Sequence, residues 1–116
     1  MILDALQLRL LEKIRSDLAG YSVVRSTSPL DNRASWLEIF AGGIHKGNSC
    51  QTLLKKLNIN CKEVAGLGND YNDIDFLDIC AEAYLVANAP VNLQRHYKLV
   101  RSDKEEGFTE FISKVL

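Results

Sequence analysis

At 116 residues with a formal charge of −1, the chain is long enough for one compact domain but near the lower end for an α/β fold. Apolar residues at 47% and charged residues at 25% describe an ordinary globular protein, which excludes disordered and fibrous classes. Lys and Arg are balanced by Asp and Glu, so no nucleic-acid footprint is expected, and no apolar run is long enough for a membrane span.

The opening stretch MILDALQLRLLEKIRSDLAG is apolar, but Asp4, Arg9, Glu12 and Lys13 interrupt it, so a signal peptide is not expected. Leu3, Leu6, Leu10, Ile14 and Leu18 recur at helical spacing and Gly20 follows as a stop, predicting an amphipathic helix over 2–19. YSVVRS (Tyr21 to Ser26) reads as a strand, STSPLDNRA as a loop, and WLEIF (Trp36 to Phe40) as a second strand. The first third is thus expected to be a helix packed on an antiparallel strand pair. Trp36 is read as a core anchor and Arg33 as a solvated charge.

After Gly42-Gly43 the pattern changes. Residues 48–57 place Cys50, Leu53, Leu54 and Leu57 on one helical face. EVAGL (Glu63 to Leu67) is a short strand candidate, followed by an Asp-rich helix start with Ile74, Leu77 and Ile79. AYLVA (Ala83 to Ala87) and KLVR (Lys98 to Arg101) read as further strands, and Phe108, Phe111, Ile112 and Val115 mark a last helix. Strands alternating with helices predict βαβ units and a parallel sheet, whose ligands gather at the carboxyl ends of the strands. Cys50, Cys61 and Cys80 are odd in number and none has Cys-x-x-Cys spacing. They are read as small core residues in a reducing, cytoplasmic setting.

Two stretches carry chemistry. GLGNDYNDIDFL sets Asn69, Asp70, Asn72, Asp73 and Asp75 at the carboxyl end of the EVAGL strand, where Gly66 and Gly68 are expected to turn the chain sharply. Hard oxygen ligands on one short turn suit Mg²⁺. Helix capping is the competing reading, with Asn72 or Asp73 as N-cap and Asp75 in the first turn. GGIHKGNS places Lys46 between glycines and before a helix, an arrangement suited to phosphate but without the residue order of a Walker loop. His45 beside it is read as a half-exposed loop residue without catalytic duty.

Together, HKGNSCQTLLKKLNI, EVAGLGNDYNDIDFL and AYLVANAP resemble the carboxyl-terminal half of the haloacid dehalogenase (HAD) superfamily in its Cof-like phosphatase branch. The acidic-Gly turn Glu105-Glu106-Gly107 before the last helix matches as well. The resemblance covers residues 35–116 well and 1–34 less closely. It implies an α/β fold: a Rossmann-like core half of parallel strands with flanking helices over 42–116, preceded by a helix and antiparallel strand pair from the cap over 1–41.

By position, the resemblance implies that Lys46 neutralises charge on a phosphoryl group, with Gly47 and Asn88 also at the phosphate. It implies Asn69, Asp70 and Asp73 for Mg²⁺, with Asn72 supporting them from behind. Two departures stand out. Asn69 occupies the place of the family's first motif Asp, removing a charge while keeping an oxygen. The amino-terminal Asp-x-Asp nucleophile motif is absent, and Asp31-Asn32 lies in a polar loop and does not replace it.

The expectation is therefore part of a Mg²⁺-dependent phosphatase of small phosphorylated metabolites, with this chain alone inactive. The alternative is a non-catalytic HAD-derived module that binds metal, phosphate or a partner. An apolar sheet edge left without its neighbour predicts association, with the missing amino-terminal half or by self-pairing.

Overall fold

The computed structural model describes residues 5–28, 30 and 34–116, with side chains from residue 7 onward in the first helix. Helix α1 runs Ala5–Asp17 and strands β1 (Tyr21–Thr27) and β2 (Ser35–Ala41) follow. Leu11 and Ile14 of α1 and Leu18 just after it are half-buried, while Leu10 is 56% exposed. The apolar stripe is thus rotated from the expected one, and Leu3 lies outside the described residues. Gly20 has φ +122°, which ends the helix and starts the first strand.

β1 and β2 pair antiparallel from Tyr21 opposite Ala41 to Thr27 opposite Ser35, as the alternation predicts. Part of their connection, together with Arg33 and the Asp31-Asn32 pair, lies outside the described residues. Trp36 is not a core anchor: it is 45% exposed on β2, where Leu37, Ile39 and Phe40 are exposed too. The strand is apolar on both faces, and neither is covered: only Ser35 and Glu38 are half-buried.

Helix α2 (Lys46–Leu57) starts two residues before the expected point, which draws Lys46 and Gly47 into its first turn. It ends at Asn58, whose left-handed φ of 56° closes the helix, and the Asn58 and Ile59 amides cap the Lys55 and Leu54 carbonyls. Cys50 and Leu54 are half-buried, whereas Leu53 and Leu57 are more than half exposed. Gly47 is buried because a Cβ there would run into the Asp75 backbone carbonyl. The first turn of α2 therefore lies directly on the segment after the acidic loop.

The core sheet holds β3 (Ala65–Gly68), β4 (Glu82–Val86) and β5 (Lys98–Val100) in the order β3-β4-β5, all parallel. Short helices α3 (Ile74–Leu77) and α4 (Val91–Gln94) connect them, and α5 (Gly107–Val115) closes the chain. The expected α/β architecture is present: a parallel sheet flanked by helices, with a separate antiparallel pair. The α4 turn was not legible, since four residues are too few to set up a period.

Tyr84, Leu85 and Val86 of the central strand are buried with Leu77, Leu93, Val100 and Phe111, and Phe111 meets Tyr84 edge-on at 5.4 Å between ring centroids. Phe108, expected on the same face of α5, is 65% exposed at the carboxyl end of the sheet. Gly66 and Gly68 lie within β3 and do not turn the chain. They make room instead: a Cβ at Gly68 would be 2.8 Å from the Asp73 Cβ, and one at Gly66 would be 2.7 Å from the Cys80 sulfur. Among the described residues no helix is long and apolar enough to cross a membrane.

The cysteines are not all core residues. Cys61 is exposed, and Cys50 and Cys80 are intermediate, because the turn at 61–63 carries Cys61 on the surface. Burial, reinforced by the neighbouring Cys50 and Cys61 thiols, pushes the Cys80 thiol up to about 11. In maleimide labelling at pH 8, Cys61 should react first and Cys80 only when the fold opens, read by mass spectrometry of digests. Leu85→Ala, at a fully buried position, should cost about 2–5 kcal/mol in urea unfolding. Leu53→Ala on the exposed face of α2 should cost under about 1 kcal/mol in the same measurement.

Candidate active site

β3 ends at Gly68, and the chain then passes through a tight turn, Tyr71–Asp73, before α3. The turn is organised by two carboxylates. Asp70 is its N-cap, with extended φ −152°, and its Oδ1 accepts the Tyr71 amide at 2.7 Å. Asp73 Oδ2 reaches back to accept the amides of Asn69 at 2.8 Å and Asp70 at 3.2 Å. The cap of the turn is therefore Asp70, in a reciprocal box with Asp73; Asp73 is itself the N-cap position of α3, as one of the two expected residues, but its side chain makes no capping hydrogen bond there. Both carboxylates are buried, at 8% and 5% exposure, and such burial is tolerable only with this many donors.

The second oxygen of Asp73, Oδ1, takes the ammonium of Lys46. Lys46 reaches it because α2 starts at that residue and Gly47 lets the helix lie against Asp75. The Lys46 side chain stays 52% exposed while Asp73 is sealed, so the cation faces open space with its counter-charge behind it. His45 Nδ1 lies 3.2 Å from Asp75 Oδ2 without hydrogen-bond alignment, beside the pair and not in it.

Asp70 has a further partner that sequence reasoning missed. Its Oδ2 accepts the Thr27 amide at 2.5 Å and its Oδ1 the Thr27 hydroxyl at 2.9 Å. One turn of strand earlier, the Arg25 guanidinium stacks 3.6 Å from the Tyr71 ring centroid. The end of β1 is thereby fastened to the acidic turn. The local pattern of YSVVRST announces a strand but carries no signal of what its polar side chains meet.

Two hollows flank this turn and share Asn69. One, of about 470 Å³, is lined by Lys46, Asn69, Asp73, Asp103, Glu106 and Phe108, among others. The other, of about 360 Å³, is lined by Arg25, Ser35, Asn69, Asp70, Tyr71 and Asn88, among others. Lys46, Gly47, Asn69 and Asp73 thus cluster at the head of α2 and the end of β3. Asn88 is on the second hollow, where its amide donates to Asp103 Oδ1 at 2.8 Å and accepts the Asp103 amide at 3.2 Å. Asn72 lines a third hollow with Arg15, Val23 and Asp75, on the α1 side of the turn.

The donor chemistry of the turn suits a hard divalent cation, but its carboxylates are committed to the loop and to Lys46. The Asn69 and Asn72 side chains make no hydrogen bond among the described residues, and of the two it is the exposed Asn69 that lies on the hollow with Lys46, so its oxygen is free to act as a donor there. Among the described residues no three carboxylate, imidazole or thiol groups converge on one point.

A family model described as haloacid dehalogenase-like hydrolase matches residues 4–112. The BU028/BU029 protein of Buchnera aphidicola is 26% identical over 82 residues, which is 68% of this chain and 30% of that protein. A haloacid dehalogenase-like hydrolase from B. subtilis superposes with a TM-score of 0.78 at 19% identity, covering 100% of this chain and 39% of that one. The sucrose-phosphatase of Synechocystis sp. PCC6803, solved with sucrose and phosphate, gives 0.71 at 17% identity, covering 99% of this chain and 48% of that one. The chain thus spans less than half the length of these relatives. With most of its length matched by that one family and its fold shared with those structures, the chain belongs to the haloacid dehalogenase-like hydrolases.

Proposed function

We propose that this chain is the carboxyl-terminal part of a Mg²⁺-dependent phosphomonoester hydrolase acting on small phosphorylated metabolites. The observation that carries the reading is the half-exposed Lys46 ammonium, held by buried Asp73 at the carboxyl end of β3 and facing a hollow of about 470 Å³. A fixed cation at that place compensates charge developing on a transferring phosphoryl group without reorganising at the moment of reaction. Asp73 orients the ammonium, and the glycine at 47 keeps α2 close enough for the pair to form. When bound, Mg²⁺ would supply Lewis-acid polarisation of the phosphoryl oxygens, with Asn69 contributing one oxygen and Asp70 and Asp73 shaping its loop. Asp103 lines that hollow and is held by Asn88, which lies on the second one.

No Asp-x-Asp motif precedes Lys46, and the Asp73-Ile74-Asp75 spacing does not replace it because Asp73 is committed to Lys46 and to the amides of Asn69 and Asp70; an aspartyl-phosphate route needs a free carboxylate of that kind. In this proposal the nucleophile comes from the amino-terminal half of the family fold, on the same longer polypeptide or a separate one. β3 is an edge strand of the described sheet, with Leu67 only half-buried, and this supports pairing there with another strand; self-pairing uses the same edge. Free thiols at Cys50, Cys61 and Cys80 suit a cytoplasmic location.

A non-catalytic, HAD-derived binding or interaction module is favoured by one feature: Asp70 and Asp73 already spend their oxygens on protein donors. Hydrolysis of p-nitrophenyl phosphate separates the two readings. The 116-residue chain by itself should be inactive. Joined to an amino-terminal half carrying Asp-x-Asp, it should hydrolyse the ester only with Mg²⁺, and Lys46→Ala should lower kcat about 10²–10³-fold. No hydrolysis by the joined protein decides for the binding module, whereas full activity of Lys46→Ala overturns the role given to Lys46.

A further inference from the structure

The hollow between β1 and the acidic turn has chemistry that phosphoryl transfer does not use. Arg25 is half-buried on its wall. Its Nε donates to the Ser35 hydroxyl at 3.1 Å and its plane is fixed over the Tyr71 ring at 3.6 Å. Tyr71 is itself held, its hydroxyl donating to Asn92 Oδ1 at 2.8 Å. Among the described residues Arg25 makes no ion pair, and its two terminal nitrogens make no hydrogen bond. A guanidinium stays charged at any physiological pH, and a planar fork with its outer nitrogens free matches a carboxylate or phosphate. Asp70 lines the same hollow, but its oxygens are filled by Thr27 and Tyr71.

We propose that this hollow selects the substrate, with Arg25 receiving a second anionic group of the phosphomonoester, a carboxylate or second phosphate, at the end remote from the ester. The assignment rests on the phosphatase reading above. Asn69 belongs to both hollows, so a ligand with its phosphate at Lys46 passes Asn69 to enter the second one. A volume of about 360 Å³ is ample for a chain of a few carbons with hydroxyls, for which Ser35 and Asn88 supply polar contacts. Arg25 and the fully hydrogen-bonded Asp70 set a polarity along the hollow: the anion belongs at the β1 side and uncharged polar atoms near the turn.

The test compares two linear six-carbon probes that differ only at the remote end, 6-phosphogluconate with a carboxylate and sorbitol 6-phosphate with a hydroxyl. Binding is measured by calorimetry on the whole natural polypeptide that carries this sequence, in EDTA so that turnover does not consume the probes. The expected result is 6-phosphogluconate binding about tenfold tighter, the size of a charge-assisted bidentate contact. Arg25→Gln should reduce that preference to about twofold or less without weakening sorbitol 6-phosphate, and Lys46→Ala should weaken both probes alike.

Arg25→Lys, which keeps the charge, should retain part of the preference, and it decides the matter together with the wild-type ratio where Arg25→Gln does not fold. Equal binding of the two probes that still depends on Lys46 overturns the role of Arg25 and leaves the phosphatase reading standing. Failure of both probes to bind, or binding indifferent to Lys46, overturns that reading and this inference with it.

Discussion

The site depends on how one buried carboxylate is satisfied. Asp73 accepts two backbone amides through one oxygen and the Lys46 ammonium through the other. Taking a carboxylate out of water costs several kcal/mol unless its oxygens are filled, and removing one donor would leave the charge stranded. Every piece of the surroundings follows from that requirement. β3 must end in glycine because Asp73 folds back over it, α2 must begin at Lys46, and Gly47 must lack a side chain for the two segments to touch. The charge that a phosphate would meet is thus a consequence of how the turn is built.

A second carboxylate links the two parts of the molecule. Asp70 caps the same turn and accepts both the amide and the hydroxyl of Thr27, while Arg25 lies on Tyr71. The antiparallel pair is therefore held to the parallel sheet through polar contacts around the acidic turn, whereas the hydrophobic core is built from β4, its neighbours and α5. Polar fastening of this sort is compatible with a hollow at the junction, since an apolar junction would have closed it. It also explains how β2 leaves Trp36, Ile39 and Phe40 exposed: the contacts that position the pair are made from β1.

The element order, the parallel sheet, the antiparallel pair and the family were legible in the sequence, because each rests on short-range patterns. Alternation marks strands, a three-to-four spacing marks helices, and Lys46-Gly47 with the 69–73 turn and Asn88 forms a spaced set of residue types. Periodicity was less reliable about depth: Leu10, Leu53 and Phe108 fit apolar faces yet are exposed. The pattern gives a direction on an element, and burial depends on whether another element covers that direction.

What the sequence by itself determined was the kind of chemistry, hard oxygens at the end of a strand and one lysine before a helix, together with the absence of an Asp-x-Asp motif ahead of that lysine. Only the tertiary structure decided which oxygens are spent. It assigned Asp70 and Asp73 to backbone donors and Lys46, left the Asn69 side chain free, moved Asn72 to another hollow, and set Arg25 over Tyr71. Thr27 and Asp70 are 43 positions apart in the chain. No local pattern encodes such a pair, because hydrogen bonds at that separation are fixed by the packing of whole elements.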